Sequence, residues 1–417
     1  MLIGASARRM ADNGMFPAKP ISDLYREENN MFITYLALLL FSMNFMLCGR
    51  YILLVAFAGQ CIHKGKIRID AKCCVLAAFS LIYSIVVFVT SGDAHIDVMI
   101  LPFAYLFGMN LSMGCEDKNK FVSNIFVCLA IGMCFHVFLN CASEIVQNGG
   151  FDYGAVHYDF WSGSVSSSTG QMINYSFAAA LLTFIVMKRG KYLSILLLII
   201  PCLVYGAIVG SRATIIISVV SVIVGILILA LNAKTKKARI SLTLVIILLT
   251  IILLAIQYNV FGLSEIISNS YLFRRIDSSS PNSEGFFATE RWQIKIEYLK
   301  NIIKYPWGGG NIRQAVGGIY AHDLLLDTLS EGGVFAFAML MAYLVLWVKS
   351  TVKFVRGSNS LACRVLLIPY TVVAAIQMFL EPILEGAPIF MLSVVLLDGV
   401  VTNMNRMRQE DENSISV

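Results

Sequence analysis

Two cations, one histidine-bearing junction and a short acidic series have residue types and positions suited to chemistry. Arg212 sits in the short connector Gly210-Ser211-Arg212-Ala213 and directly precedes an apolar run. A cation at a helix N-terminus opposes the macrodipole. Arg212 therefore either reaches lipid headgroups or water with its long side chain, or marks a place where an anion is bound. Arg291, in Glu290-Arg291-Trp292, falls in the first turn of a predicted helix and carries the same mismatch. A guanidinium fork suits phosphate oxygens better than the point charge of a lysine does. His322, in Tyr320-Ala321-His322-Asp323, stands where a polar loop gives way to an apolar run. An imidazole, with an ordinary pKa of about 6.5, can accept a proton near neutral pH.

Asp323, Asp327 and Glu331 follow at steps of four on one helical face, just before Gly332-Gly333. Asp323 is either an ordinary first-turn acid or an orienter of His322. Glu331 lies two turns further in, and a carboxylate within a membrane is costly and usually faces a cavity. Glu381 and Glu385, in the last polar turn, are further candidates. Tyr153, Tyr158, Phe160 and Trp161 crowd an earlier loop, either as stacking faces for sugars or as interfacial aromatics of the ordinary kind. No Asp-x-Asp, His-x-x-x-His or cysteine cluster accompanies these residues, so neither a metal nor a cofactor is expected. The ten cysteines lie in or beside apolar stretches, and Cys73-Cys74 lacks the C-x-x-C spacing of a redox or metal pair.

The elements that must position these residues are read from composition and charge. Of 417 residues, 58% are hydrophobic and 14% charged, against roughly 45–50% and 25% in soluble domains. The expected class is an all-α polytopic integral membrane protein. A span needs roughly 17–25 apolar residues. Twelve helices are predicted, over 32–48, 50–62, 73–90, 96–114, 121–140, 171–187, 192–209, 213–231, 240–259, 322–347, 361–380 and 387–402.

Alternate connectors are rich in Lys and Arg: Lys64 to Lys72, Lys118 and Lys120, Lys188 to Lys191, Lys234 to Arg239, and Lys349 to Arg364. By the positive-inside rule these face the cytoplasm, while the short outer connectors hold only Arg50 and Arg212. The net charge of +6 thus serves orientation rather than nucleic-acid binding. Residues 1–31 and 403–417 read as cytoplasmic tails flanking an integral membrane domain over 32–402, with no cleavable signal peptide before Phe32.

Two outer loops are long enough to fold, 141–170 and 260–321. The second contains Arg274-Arg275, a Ser/Pro stretch over Ser278–Ser283, and a helical pattern over 289–303. In that pattern Trp292, Ile296, Leu299 and Ile303 share one stripe, Thr289 is the expected N-cap, and Pro306 with Gly308 to Gly310 ends the helix. Such a helix would lie on the membrane surface or close over a cavity.

The order Gly-Ser-Arg-Ala before a span, Glu-Arg-Trp followed by Tyr-Pro-Trp-Gly-Gly-Gly in the long loop, and Ala-His-Asp-Leu-Leu-Leu followed by Glu-Gly-Gly resembles the O-antigen polymerase/ligase family. The resemblance spans residues 205–345 by motif and nearly the whole chain by topology, with a large external loop before the third-last helix. It implies a metal-independent glycosyltransferase at the outer face of the bacterial inner membrane, taking an undecaprenyl-diphosphate-linked glycan as donor. Arg212 and Arg291 would hold the diphosphate and His322 would activate the acceptor hydroxyl, with Asp323, Glu331, Trp161 and Tyr158 as further substrate contacts. Asp323 departs from the family, which commonly has an amide or hydroxyl residue there.

Physical chemistry is compatible with those roles, since preorganised cations stabilise the charge on a leaving diphosphate and a base on the attacking hydroxyl contributes about 10²–10⁴-fold. The expected function is a polymerase that joins lipid-linked repeat units, with membrane lipids and a chain-length regulator as partners. An O-antigen ligase acting on lipid A-core is the alternative, and a polysaccharide flippase or ion-coupled transporter is a further one.

Overall fold

Apolar stretches with few charges satisfy their backbone groups internally only as helices when water is scarce, and each of the twelve predicted stretches is helical over most of its described residues. The computed structural model of the chain describes residues 21–64, 67–92, 94–111, 117–149, 157–188, 192–232, 234–260 and 289–415. In chain order the elements are α1 (Ile21–Ser42), α2 (Gly49–Lys64), α3 (Ala71–Ser91), α4 (Ile96–Asn110) and α5 (Lys118–Asn148). They are followed by a hairpin of β1 (His157–Tyr158) and β2 (Val165–Ser166), then α6 (Ser168–Met172), α7 (Tyr175–Lys188), α8 (Leu196–Ile208), α9 (Arg212–Leu231) and α10 (Lys236–Gln257). The last group is α11 (Thr289–Asn301), α12 (Asn311–Ala315), α13 (Leu324–Gly357), α14 (Leu361–Leu380), α15 (Ile383–Gly386) and α16 (Pro388–Ile415).

The protein is all-α apart from that two-stranded hairpin among the described residues. Among the described residues six helices, α3, α5, α9, α13, α14 and α16, are long and apolar enough to cross a membrane, and α1, α4, α7, α8 and α10 contain shorter apolar stretches. Phe151, Tyr153, Arg274-Arg275 and Ser278–Ser283 lie outside the described residues, as do most of the expected N-terminal tail and the side chains of Thr289 and Glu290.

Both expected tails differ from the structure in one respect. Helix α1 already begins at Ile21, and α16 continues to Ile415 instead of ending near residue 402. Hydropathy marks where an apolar stretch stops, whereas a helix persists as long as its polar residues find partners. Here Arg406 pairs with Glu410 one turn on (3.5 Å), Glu410 lies 3.8 Å from Arg68, and Asp411 pairs with Lys118. Each such surface pair is worth at most about 1 kcal/mol, but together they dock the end of α16 on the basic connectors.

Helix direction is set by side-chain contacts. Lys72 of α3 meets Asp398 of α16 (2.8 Å), and Tyr83, further along α3, meets Glu385 on α15 just before α16 (3.0 Å), so α3 and α16 run antiparallel. Glycines let helices approach closely: a Cβ on Gly108 would lie 2.0 Å from the Leu396 carbonyl oxygen, and one on Gly399 2.2 Å from that of Tyr105. Phe126, Phe177, Tyr370 and Trp347 form an aromatic group in the bundle core. Arg50, one of the two cations in the short connectors expected outside, is paired with Asp97 at 3.0 Å.

The two glycine runs of the sequence meet in space. Helix α13 breaks at Gly333 (φ 77°, ψ −179°), which leaves backbone groups near the break without helical partners. The Pro306–Gly310 segment supplies some of them. Gly309 N–H donates to Glu331 O (2.8 Å), Gly310 N–H to Ser330 O (2.9 Å), and Val334 N–H to Pro306 O (2.9 Å). A Cβ on Gly308 would sit 2.5 Å from Gly333 N, at a φ of +86°. Gly308→Ala is therefore expected to destabilise by about 2–4 kcal/mol, combining left-handed strain with a backbone clash. Gly318→Ala has a similar φ of +82° but open space around the new Cβ, and should lose only about 1–2 kcal/mol. Thermal unfolding of the detergent-solubilised variants separates the two. Equal losses would mean that the glycine junction is not tightly packed.

Candidate functional site at the loop and bundle junction

Helix α11 and the turn that follows it have two stripes. Trp292, Ile296, Leu299 and Ile303 are exposed, whereas Tyr298 is buried and Ile294, Lys295 and Ile302 are half-buried. Tyr298, Ile312 and Ala321 form a small core that seats α11 and α12 on the start of α13, and the Tyr298 hydroxyl donates to Ile319 O (2.7 Å). Burial, then the charges of Asp327 and Glu331, push the Tyr298 phenol up, so it remains a neutral donor. The apolar stripe read from the sequence thus faces away from the bundle, and the stripe with Arg291 and Lys295 faces it.

That second stripe meets the end of α14. Glu381, only 1% exposed, has one carboxylate oxygen 3.6 Å from Arg291 Nη1 and the other 3.8 Å from His322 Nδ1. Arg291 also points at Leu380 O (3.5 Å). One turn along, Lys295 donates to Asp323 Oδ2 (3.0 Å) and to Phe379 O (2.7 Å). Asp323 caps α13 with its other oxygen, which accepts from Leu325 and Leu326 N–H (3.0 and 3.3 Å). Asp327 accepts from Ala321 N–H (2.8 Å) and Asp323 N–H (3.1 Å), bracketing His322, whose φ is +53°. A histidine in the left-handed region persists only when its surroundings over-determine it, and here both flanking N–H groups are tied to one carboxylate.

A second group lies next to the first. Glu331 pairs with Arg313 Nε (3.0 Å), and the Arg313 guanidinium stacks over the Tyr320 ring (4.6 Å to the centroid). Glu385 accepts from the Tyr83 hydroxyl (3.0 Å), while its Oε2 is sealed from solvent with no hydrogen bond among the described residues. Burial pushes Glu385 up to about 7, against the lowering effect of the Tyr83 hydrogen bond. The folded form then holds a proton that the unfolded chain releases between pH about 4.5 and 7, so stability declines as pH rises through that window. Glu385→Gln should therefore unfold at a higher temperature than wild type at pH 8, with the gap closing below pH about 5. A gap independent of pH would show that the carboxyl is not protonated in the fold.

The structure brings Arg291, His322 and Asp323 together around Glu381 and Lys295, with Glu331 beside them. Arg212 begins α9 and is half-buried. Helix α9 runs parallel to α7, with Ser218 at Tyr175 and Ser221 at Ala179, and Phe177 meets Phe390 edge-to-face at the start of α16. Arg212 is thus at the same end of the bundle as Glu381, and α9 packs along α14.

Trp161 and Tyr158 belong to a separate cluster on the hairpin. The Trp161 indole N–H donates to Met43 O (3.2 Å) and its ring packs on Phe45 and Phe160, while the Tyr158 side chain is 47% exposed. Beneath them, buried Glu144 accepts from the Tyr205 hydroxyl (2.8 Å) and contacts His157 Nδ1 (3.1 Å). His136 Nε2 meets Asp159 (2.7 Å). Burial raises the Asp159 carboxyl, but the His136 hydrogen bond and charge and the Ser162 donors outweigh it, holding it at about 2.

Sequence reading did not single out Lys295, Arg313, Tyr83 or the Glu144–His157 pair, and it placed Glu381 below the other candidates. Lys295 follows Arg291 by one turn, a spacing legible in the sequence; Arg313 lies in the same loop but at no helical spacing from Glu331, and Tyr83 comes from a distant segment.

No family model and no curated protein sequence matches the chain.

The chemistry must accordingly be judged from the geometry. Arg291, Lys295 and Arg313 are each paired with a carboxylate: Glu381, Asp323 and Glu331. An anionic ligand at this junction would have to compete with those carboxylates for its cations. Charge-assisted contacts of this kind discriminate strongly because an unmatched buried charge is costly. His322 Nδ1 is buried, faces Glu381 at 3.8 Å and makes no hydrogen bond among the described residues.

Proposed function

We propose that the protein is a metal-independent glycosyltransferase of the O-antigen polymerase type, joining undecaprenyl-diphosphate-linked oligosaccharide units into a surface polysaccharide. In this reading the chain spans the bacterial inner membrane about twelve times with both termini cytoplasmic, α2 and the shorter apolar helices completing the set that the six long ones begin. The Glu381 junction then opens on the outer face, where Arg291 and Arg212 take the diphosphate and His322 takes the acceptor proton. The observation that supports it most is the convergence of Arg291 and His322 on one buried carboxylate, because the two come from motifs separated by thirty residues of sequence. An O-antigen ligase would use the same donor and the same groups.

The testing experiment is the surface glycan profile of the native host lacking this gene, resolved together with its lipid-linked intermediates. Single repeat units on lipid A-core would mark a polymerase, and long chains retained on undecaprenyl diphosphate a ligase. An unchanged profile and unchanged intermediates would remove both readings.

One observation favours a flippase or ion-coupled transporter instead. Lys72 and Asp398 form an ion pair inside the bundle, with both side chains at most 8% exposed. Intramembrane pairs of this kind commonly mark ion pathways. Accumulation of lipid-linked units on the cytoplasmic leaflet in the deletion strain would support that reading.

A further inference from the structure

We propose that Glu381 couples donor capture to base activation by exchanging partners between Arg291 and His322. The inference rests on the transferase reading and assigns Glu381 a positioning role within it. Its carboxylate is 1% exposed and stands 3.6 Å from Arg291 Nη1 and 3.8 Å from His322 Nδ1, so both contacts stop short of hydrogen bonds. Glu381 Oε1 and His322 Nδ1 are both buried without a hydrogen-bond partner among the described residues. A buried carboxylate held between two donors and bonded to neither is poised to move toward whichever is released to it, since an unmatched buried charge costs more than a paired one.

The surroundings favour one direction of exchange. Lys295, the nearest other cation on α11, is already committed to Asp323 and to Phe379 O. Arg291 is the partner an incoming diphosphate can take, because its guanidinium is about one-third exposed. Once phosphate oxygens hold Arg291, Glu381 closes on His322 and accepts its Nδ1–H. That fixes the tautomer with Nε2 unprotonated, the form required of a base.

The acceptor oxygen then bonds to the anomeric carbon as its proton passes to Nε2. The lipid diphosphate leaves with the electron pair of the broken carbon–oxygen bond, its charge held by Arg291. The base becomes competent only when a donor is present, so an empty site does not hydrolyse or misdirect glycan.

The exchange predicts opposite effects on binding and turnover. Glu381→Gln removes the charge that competes for Arg291 while keeping the side chain's shape. Inorganic pyrophosphate, titrated calorimetrically into the detergent-purified full chain, should bind about tenfold tighter than to wild type, within the range usual for coupled sites. Turnover on a lipid-linked oligosaccharide should fall about 10–100-fold, because a neutral amide stabilises the imidazolium poorly. Glu381→Asp keeps the charge but retracts it, and should leave pyrophosphate affinity within threefold of wild type while turnover falls.

Pyrophosphate affinity unchanged in Glu381→Gln would overturn the proposal, as would equal losses of binding and turnover in both variants. Because the titration needs no turnover, tighter pyrophosphate binding in a chain whose wild type transfers no glycan would refute the transferase reading and leave the Arg291–Glu381 competition standing. If Glu381→Gln does not fold, the comparison of Glu381→Asp with wild type, by the same two assays, decides: unchanged turnover there defeats the coupling.

Discussion

Replacing His322 by alanine is expected to lower glycan transfer by about 10²–10⁴-fold, the range that a positioned general base contributes. The same position allows a sharper test, because His322 has a φ of +53°. Left-handed backbone costs a non-glycine residue about 1–2 kcal/mol, and glycine removes that cost while adding roughly 0.4–1 kcal/mol of unfolded-state entropy. His322→Gly should therefore be as inactive as His322→Ala yet unfold at an equal or higher temperature than either His322→Ala or wild type. That combination would identify a residue kept in an unfavourable backbone region for its imidazole. Activity surviving in either variant would remove His322 from the chemistry, and a large loss of stability in His322→Gly would mean that the ring holds the junction together.

The second large effect concerns the ion pair within the bundle. Lys72 Nζ lies 2.8 Å from Asp398 Oδ1 and 3.0 Å from Thr402 Oγ1, with the Asp398 side chain fully buried. Lys72→Met strands the carboxylate, and breaking a buried pair by removing one partner typically costs about 3–5 kcal/mol. The double variant Lys72→Met/Asp398→Leu should recover most of that loss, because two well-packed apolar side chains replace two desolvated charges. Thermal unfolding of both proteins in detergent measures the difference. A double variant no more stable than the single one would show that the pair contributes beyond charge compensation. If the double variant folds and still supports glycan assembly, the pair is structural, and the transporter reading loses the observation that favours it.

Much of this architecture is legible in the chain because bilayer-scale hydropathy and backbone hydrogen bonding are local constraints. Every apolar stretch marked by composition is helical over most of its described residues, and α11 is present because Arg291 to Lys300 keeps a helical period and Pro306 prevents its extension. Boundaries were less legible. The end of α16 continues past the apolar limit because Glu410 and Asp411 meet Arg68 and Lys118, residues some three hundred positions away. The Pro306–Gly310 and Gly332-Gly333 runs read as separate helix terminators, yet they form one junction in which each supplies the other's unsatisfied backbone groups.

The site shows the same division. Types and spacing of Arg212, Arg291, His322, Asp323 and Glu331 identify candidates, because cations opposed to helix dipoles and acids inside apolar runs carry a free-energy cost visible in the sequence. Spacing says nothing of which charges neutralise one another. Only the meeting of α11, the entry to α13 and the end of α14 places Arg291 and His322 on Glu381 and commits Lys295 to Asp323. By itself the sequence determined an all-α membrane-type chain and the short list of residues able to do chemistry, since burial preference and helix period are properties of neighbouring residues. The tertiary structure alone decided the pairing, because electrostatic partners are chosen by distances of a few ångströms between segments that the chain order keeps far apart.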